Sequence, residues 1–204
     1  AIDMAFKRIY HFHKLQKTNN IKFIDKYKNK IEYKNIPINS VGIYIPANLP
    51  SSLLMNAIPA KICGVKNIYL ANPRLKGKLN PAVMYVAKKC GIKNIITVGG
   101  AQAIGSLAYI QKVDKIIGPG NDFVARAKRE VFGVVGTESM IAGPSEVTII
   151  SDRYANIKHV LSSMSAQSEH GINSQSILVT KDKILINKVK ENIKDFISKL
   201  PRKS

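Results

Sequence analysis

Apolar positions recur at helical spacing from the start of the chain: Phe6, Ile9, Tyr10 and Leu15 predict an amphipathic helix over residues 5–15. A polar, lysine-rich stretch containing Pro37 follows to about Asn39 and predicts no regular element. From there short apolar runs alternate with helical patterns. Val41 to Ile45 reads as a strand halted by Pro46, and Ser51 or Ser52 as the cap of a helix carrying Leu53, Leu54, Ala57, Ile58 and Ile62 to Gly64. Asn67 to Leu70 predicts the next strand. Asn80-Pro81 opens a helix that Gly91 closes, with proline in the first turn, where its missing N–H costs nothing.

The alternation continues. Asn94 to Val98 predicts a strand, followed by Gly99-Gly100 and a helix over 101–109; Lys115 to Ile117 predicts another, ending in Gly118-Pro119-Gly120-Asn121. Phe123, Ala127 and Val131 mark a further helix up to Gly133. Strands are expected at 139–142 and 146–150, around Gly143-Pro144-Ser145, then a helix over 156–169, a strand over 176–179 and a closing helix over 185–200. Such alternation is the pattern of parallel α/β units, whose ligands lie beyond the carboxyl ends of the strands. The three glycine clusters all follow predicted strands. There is no internal repeat and no low-complexity linker.

Composition changes this picture little. The 204 residues are 45% hydrophobic and 22% charged, enough for one large domain or two small ones. No apolar run is long enough to predict a transmembrane helix. The start, Ala1 to Ala5, has no signal-peptide core and no initiator Met, so the natural beginning is expected upstream. Cys63 and Cys90 sit inside apolar helical runs, which predicts free thiols and a reduced, cytoplasmic setting. The net charge of +19 would suit a nucleic-acid binder. Its lysines are scattered among Ile and Asn residues, however, and no RNA-binding signature accompanies them, so the charge reads as a solvated surface and no nucleic-acid partner is expected.

Candidate chemistry is concentrated in two places. No glycine cluster fits the dinucleotide spacing of three glycines with a later acidic residue. Gly118 to Asn121 is either a loop that lets a ligand approach the backbone at a helix start, or a tight turn with an asparagine cap. Gln167 and His170 stand three apart at a predicted helix end and share one face. They are either two corners of a metal site or a terminal histidine facing the helix dipole. His11, His13 and His159 read as solvated.

Five strings, in this order, resemble histidinol dehydrogenase: Leu54 to Lys61, Val98 to Ile104, Val113 to Asn121, Ile141 to Glu146 and Ala166 to His170. The resemblance runs from about Tyr10 to Thr180 and implies two successive NAD-dependent oxidations of L-histidinol, through an aldehyde, to L-histidine, the last step of histidine biosynthesis. It implies that Tyr44, Gln102 and Asn121 contact NAD, that Ser145 touches the substrate, and that Gln167 and His170 bind both zinc and substrate. It implies a Rossmann-like parallel-sheet domain over 42–146, inserted into a second, incomplete α/β domain made of 1–41 and 147–204. A homodimer is expected, since family sites draw residues from a partner subunit.

Departures from the family accompany the match. Ala47-Asn48 replaces a glycine pair, and the segment between Tyr109 and Val113 is short. The family's catalytic Glu-His pair and its other zinc ligands, an Asp and a His, come later than His170, and no Glu-His pair follows that residue here. Asp182 and Asp195, without a histidine nearby, do not replace them. These residues alone are therefore expected to be inactive, a central fragment of the enzyme. The other readings are a degenerate, non-catalytic relative and a basic nucleic-acid-binding α/β module.

Overall fold

The computed structural model describes residues 1–138, 146–169 and 174–199, which divide between two units, Ala1–Ala142 and Gly143–Ser204. The first opens with helix α1 (Ile2–Leu15), one turn earlier than its apolar spacing predicts. Its Ile2, Ala5, Phe6 and Ile9 pack on the unit's core. The lysine-rich stretch, expected to be irregular, instead holds a hairpin of β1 (Ile21–Ile24) and β2 (Lys30–Tyr33). Four-residue strands with interspersed lysines give too little alternation to be read from sequence. Ile21 pairs with Tyr33 and Phe23 with Ile31, and every residue of both strands is exposed.

A four-stranded, all-parallel sheet forms the centre, in the order β5-β4-β3-β6. The strands are β3 (Ser40–Tyr44), β4 (Asn67–Ala71), β5 (Asn94–Ile96) and β6 (Lys115–Ile117). Between them run α2 (Pro50–Cys63), α3 (Pro81–Cys90) and α4 (Gly100–Gly105), the last continuing as a π-turn, Ser106–Ile110, where an unbroken helix was expected. Helix α5 (Asp122–Glu130) follows β6. One core cluster joins α2 and α3 to Val41, Ile43 and Leu70; another joins α4, its π-turn and α5 to Tyr44, Ala71 and Ile116. Both faces of the sheet are thus covered, as a parallel sheet requires.

Local chemistry sets the boundaries. Asn80 Oδ1 accepts from the amides of Ala82 (2.9 Å) and Val83 (3.3 Å), with Pro81 in the first turn, as its sequence predicts. Helix α2 departs from expectation. Its cap is Leu49, without a side-chain hydrogen bond, and Pro50 rather than Ser51 or Ser52 defines the start, because proline's fixed φ is already helical. In α5 the buried residue is Val124, whereas Phe123, expected to face inward, is 75% exposed.

The second unit contains β7 (Glu146–Ile150), α6 (Ile157–Ser168), β8 (Gln175–Val179) and α7 (Lys183–Ser198). Its strands pair in parallel and their residues alternate between exposed and half-buried. Val160, Leu161, Leu185 and Val189 form its core. Ser176 Oγ donates to Met164 O (2.7 Å) and contacts Ser168 Oγ (3.1 Å), tying the end of α6 to β8. The strand expected over 139–142 lies outside the described residues. Among those described, no helix is long and apolar enough to cross a membrane.

Candidate functional site

Strand order defines where a ligand can enter. From β3 the chain steps outward to β4 and β5, then returns to place β6 on the other side of β3. The helices that follow β3 and β6 therefore belong to opposite layers, and a crevice opens between them at the strands' carboxyl ends. Tyr44 is the last residue of β3 and only 6% exposed. Its hydroxyl accepts from the amide of Gly100 (3.3 Å), at the start of α4. Two residues on, Gln102 is exposed. On the other side of Tyr44 lies Gly118, with φ +113°. A Cβ there would stand 2.0 Å from the Tyr44 carbonyl oxygen, so only glycine lets the end of β6 lie against the end of β3.

Asn121 is the cap of α5, its Oδ1 accepting from Val124 N (3.1 Å). The asparagine-capped turn is thus observed, and the cap hydrogen bond uses the carboxamide oxygen. A Cβ on Gly120 would collide with Val124 at 2.3 Å, which keeps the loop tight against α5. Tyr44, Gln102 and Asn121 all lie at the carboxyl edge of the sheet, and Tyr44 touches both glycine loops.

Three side chains that no sequence motif singles out hold this edge. The amide of Gly118 donates to Glu138, and its carbonyl accepts from Lys128 Nζ. Lys128 and Glu138 also form an ion pair, with the lysine side chain 11% exposed. Asn72, fully buried at the end of β4, donates from Nδ2 to Ile45 O (3.0 Å) and Pro46 O (3.2 Å). That fixes the chain entering the Ala47-Asn48 departure. Each contact spans residues far apart in sequence and matches no local motif; only the strand order reveals it.

In the second unit, Gln167 is the penultimate residue of α6 and half-buried, with Glu169 as the helix's C-cap. Ser145 and His170 lie outside the described residues. Among the described residues, no cluster of three or more His, Cys, Asp or Glu side chains could hold a metal ion. His11 and His159 are exposed, and His13 Nδ1 contacts Gln16 Oε1 at 2.6 Å. An open cavity of about 800 Å³ at the carboxyl ends of β7 and β8 is lined by Arg153, Lys181 and Asp182 among others, and holds none of the predicted site residues.

Comparison with known proteins places this geometry in context. The sequence profile described as histidinol dehydrogenase matches residues 1–204. Histidinol dehydrogenase of Pelagibacter ubique is 56% identical over 99% of this chain and 49% of its own length. That of Acinetobacter baylyi is 43% identical, over 99% and 48% respectively. The crystal structure of histidinol dehydrogenase from Elizabethkingia anophelis superposes with a TM-score of 0.88 at 39% identity, covering all of this chain and 49% of that one. A putative aldehyde dehydrogenase from Burkholderia cenocepacia, 15% identical with a TM-score of 0.68, shares the fold. The chain spans about half the length of the curated relatives it matches.

Proposed function

The chain belongs to the histidinol dehydrogenase family, and from that membership we propose that it supplies the NAD-contacting domain and part of the zinc site of an enzyme that oxidises L-histidinol to L-histidine. The reading assigns NAD contacts to Tyr44, Gln102 and Asn121. It assigns substrate contact to Ser145, and joint zinc and substrate contact to Gln167 and His170. Residues 42–146 form the inserted domain, and 1–41 with 147–204 contribute to the other. The working enzyme is a cytoplasmic homodimer.

One observation carries the reading: the strand-order reversal beside β3 gathers two glycine loops and the exposed Gln102 and Asn121 at one edge. The donor set there suits a dinucleotide. Amide side chains can donate to and accept from a ribose or carboxamide, and the cap of α5 leaves main-chain N–H groups near a place where negative charge is favoured. Held by Tyr44, Gln102 and Asn121, NAD would supply the hydride acceptor, and zinc on Gln167 and His170 would supply a centre that orients the substrate's amine and imidazole. For zinc, Gln167 supplies one oxygen donor and His170 one nitrogen. Two donors fall short of the three or more protein ligands that zinc takes, so the remainder come from elsewhere in the enzyme.

The chain's own contribution is binding and orientation. Removing hydride from an alcohol also requires a base to take the hydroxyl proton, and the family's Glu-His pair is not among residues 171–204. The 204-residue chain alone is expected to bind NAD without reducing it in the presence of L-histidinol. Isothermal titration with NAD, followed by the absorbance of NADH on adding L-histidinol, tests both halves. Loss of NAD affinity in Gln102→Ala is the supporting result. Absence of NAD binding would overturn the cofactor assignment, and turnover by the chain alone would overturn the placement of the base beyond it. Zinc uptake that survives His170→Ala in the protein at its natural length would overturn the metal assignment.

A further inference from the structure

The loop that follows β6 is held from behind by charge. Gly118 is the hinge of that loop, and neither of its peptide groups is satisfied by the sheet. The N–H goes to the carboxylate of Glu138, the C=O to the ammonium of Lys128, and the two side chains bond to each other. Lys128 lies ten residues along, on the far part of α5, with its side chain nearly buried. Glu138 follows a short bridge in which Gly136 pairs with Lys115 of β6. Three separate segments thus converge on one residue, gripping the peptide on each side of it. Two of them are the ends of the Gly118–Asn121 turn and its helix; the third is the strand-like segment beside β6.

We propose that Lys128 and Glu138 are positioning residues for the dinucleotide: by gripping both polar groups of Gly118 they set the direction in which Gly118 to Asn121 presents its main chain at the crevice. The inference rests on the NAD assignment above. Gly118 sits at a φ that only glycine adopts readily, so its own torsional preferences do not hold the loop. Gly118 is buried and bonds to a largely buried ion pair, where charge-assisted hydrogen bonds are strong and an unmatched partner is costly. The same glycine abuts the Tyr44 carbonyl, so a rotation of its peptide moves the loop relative to the residue that links both sides of the crevice. Neither side chain needs to touch the ligand.

The test is NAD affinity by titration calorimetry in the protein at its natural length. Lys128→Met and Glu138→Gln are each expected to weaken NAD binding by about 10- to 100-fold, the loss that goes with one hydrogen bond to a charged group, with the Km for L-histidinol unchanged. Lys128→Arg, which keeps a donor for both acceptors, is expected to restore most of the affinity. The double variant Lys128→Glu with Glu138→Lys rebuilds an ion pair but presents an acceptor to the Gly118 carbonyl and a donor to its amide. It is expected to stay as weak as the single variants. Affinity regained in the swap would show that only the ion pair matters and would overturn the proposal, as would unchanged affinity in both single variants. A wild-type protein that does not bind NAD would overturn the cofactor reading as well, a separate result. If the variants fail to fold, amide hydrogen exchange of the wild type decides. Strong protection of the Gly118 N–H supports the proposal, and exchange at the rate of an open loop overturns it.

Discussion

The two units solve the same packing problem to different degrees. In Ala1–Ala142 the parallel sheet is covered on both faces, and β3, its central strand, has Val41, Ile43 and Tyr44 all at or below 6% exposure. In Gly143–Ser204 the two described parallel strands alternate between exposed and half-buried positions, leaving Ile150 83% and Val179 48% exposed. Parallel strands are stable when both faces are buried, so the second unit's strands lack cover that the first unit's strands have. The difference teaches that site residues on this chain rest on unequal foundations. Tyr44 and Gly118 are set into a finished core, whereas Gln167 projects from a helix whose core holds four buried apolar residues.

The largest test of that contrast is a matched pair of cavities. Ile58→Ala, at a position with no exposure, is expected to cost about 2–5 kcal/mol in denaturant unfolding of the first unit. Leu185→Ala, at 4% exposure in the second, is expected to cost less, because a small core with an open strand face relaxes more readily. Equal costs would erase the distinction. Amide exchange sharpens it: the β7–β8 ladder is expected to open and exchange well before the β3–β4 ladder.

A smaller effect concerns how α1 is fastened to the first unit. Asp3 accepts from Lys89 Nζ (2.7 Å) and from the Tyr85 hydroxyl (2.9 Å), and these bonds, the lysine's foremost, hold its carboxyl below its ordinary value. A depressed carboxylate stabilises the fold fully above the unfolded value, near pH 4, and the gain is lost as pH falls through the lower folded value. Thermal melts of Asp3→Asn should therefore lie slightly below the parent at neutral pH and converge with it in strongly acidic buffer. A constant offset at all pH values would assign the effect to packing. Asp3 is exposed, so salt should shrink the offset.

The smallest is chemical. Cys63 is exposed and Cys90 is buried in the first unit's core, where burial pushes its thiol up. Iodoacetamide is expected to modify Cys63 promptly and Cys90 only as fast as that core opens. Equal rates would mean that the first unit's core does not shield Cys90.

Much of the fold is legible in the sequence because its signals are local. Asn80-Pro81 announces α3 by a mechanism that needs only four consecutive residues, and the apolar runs at Val41, Asn67, Asn94 and Lys115 are the four strands of the sheet. The hairpin at 21–33 is not legible, since its lysines mask the alternation, and neither is the outward turn of Phe123, which occupies a helical position that an inward residue would also occupy. The candidate site is legible as expected residues rather than as an arrangement. Tyr44, Gln102 and Asn121 follow from the family resemblance, but the reversal that puts them at one edge is a property of strand order, and Lys128, Glu138 and Asn72 act across distances that no motif encodes. Gln167 is described at the end of α6, while Ser145 and His170 lie outside the described residues.

The central place of β3 carries a consequence for biosynthesis. Ribosomes release the chain from its amino end, and both neighbours of β3 are made after it, β4 first and β6 last of the sheet. The middle of the sheet therefore waits on its flanks, and the wall of the crevice beyond β3 cannot exist until Lys115–Ile117 has left the exit tunnel. A nascent chain shorter than that has β3 without its second neighbour, and so has no crevice at all.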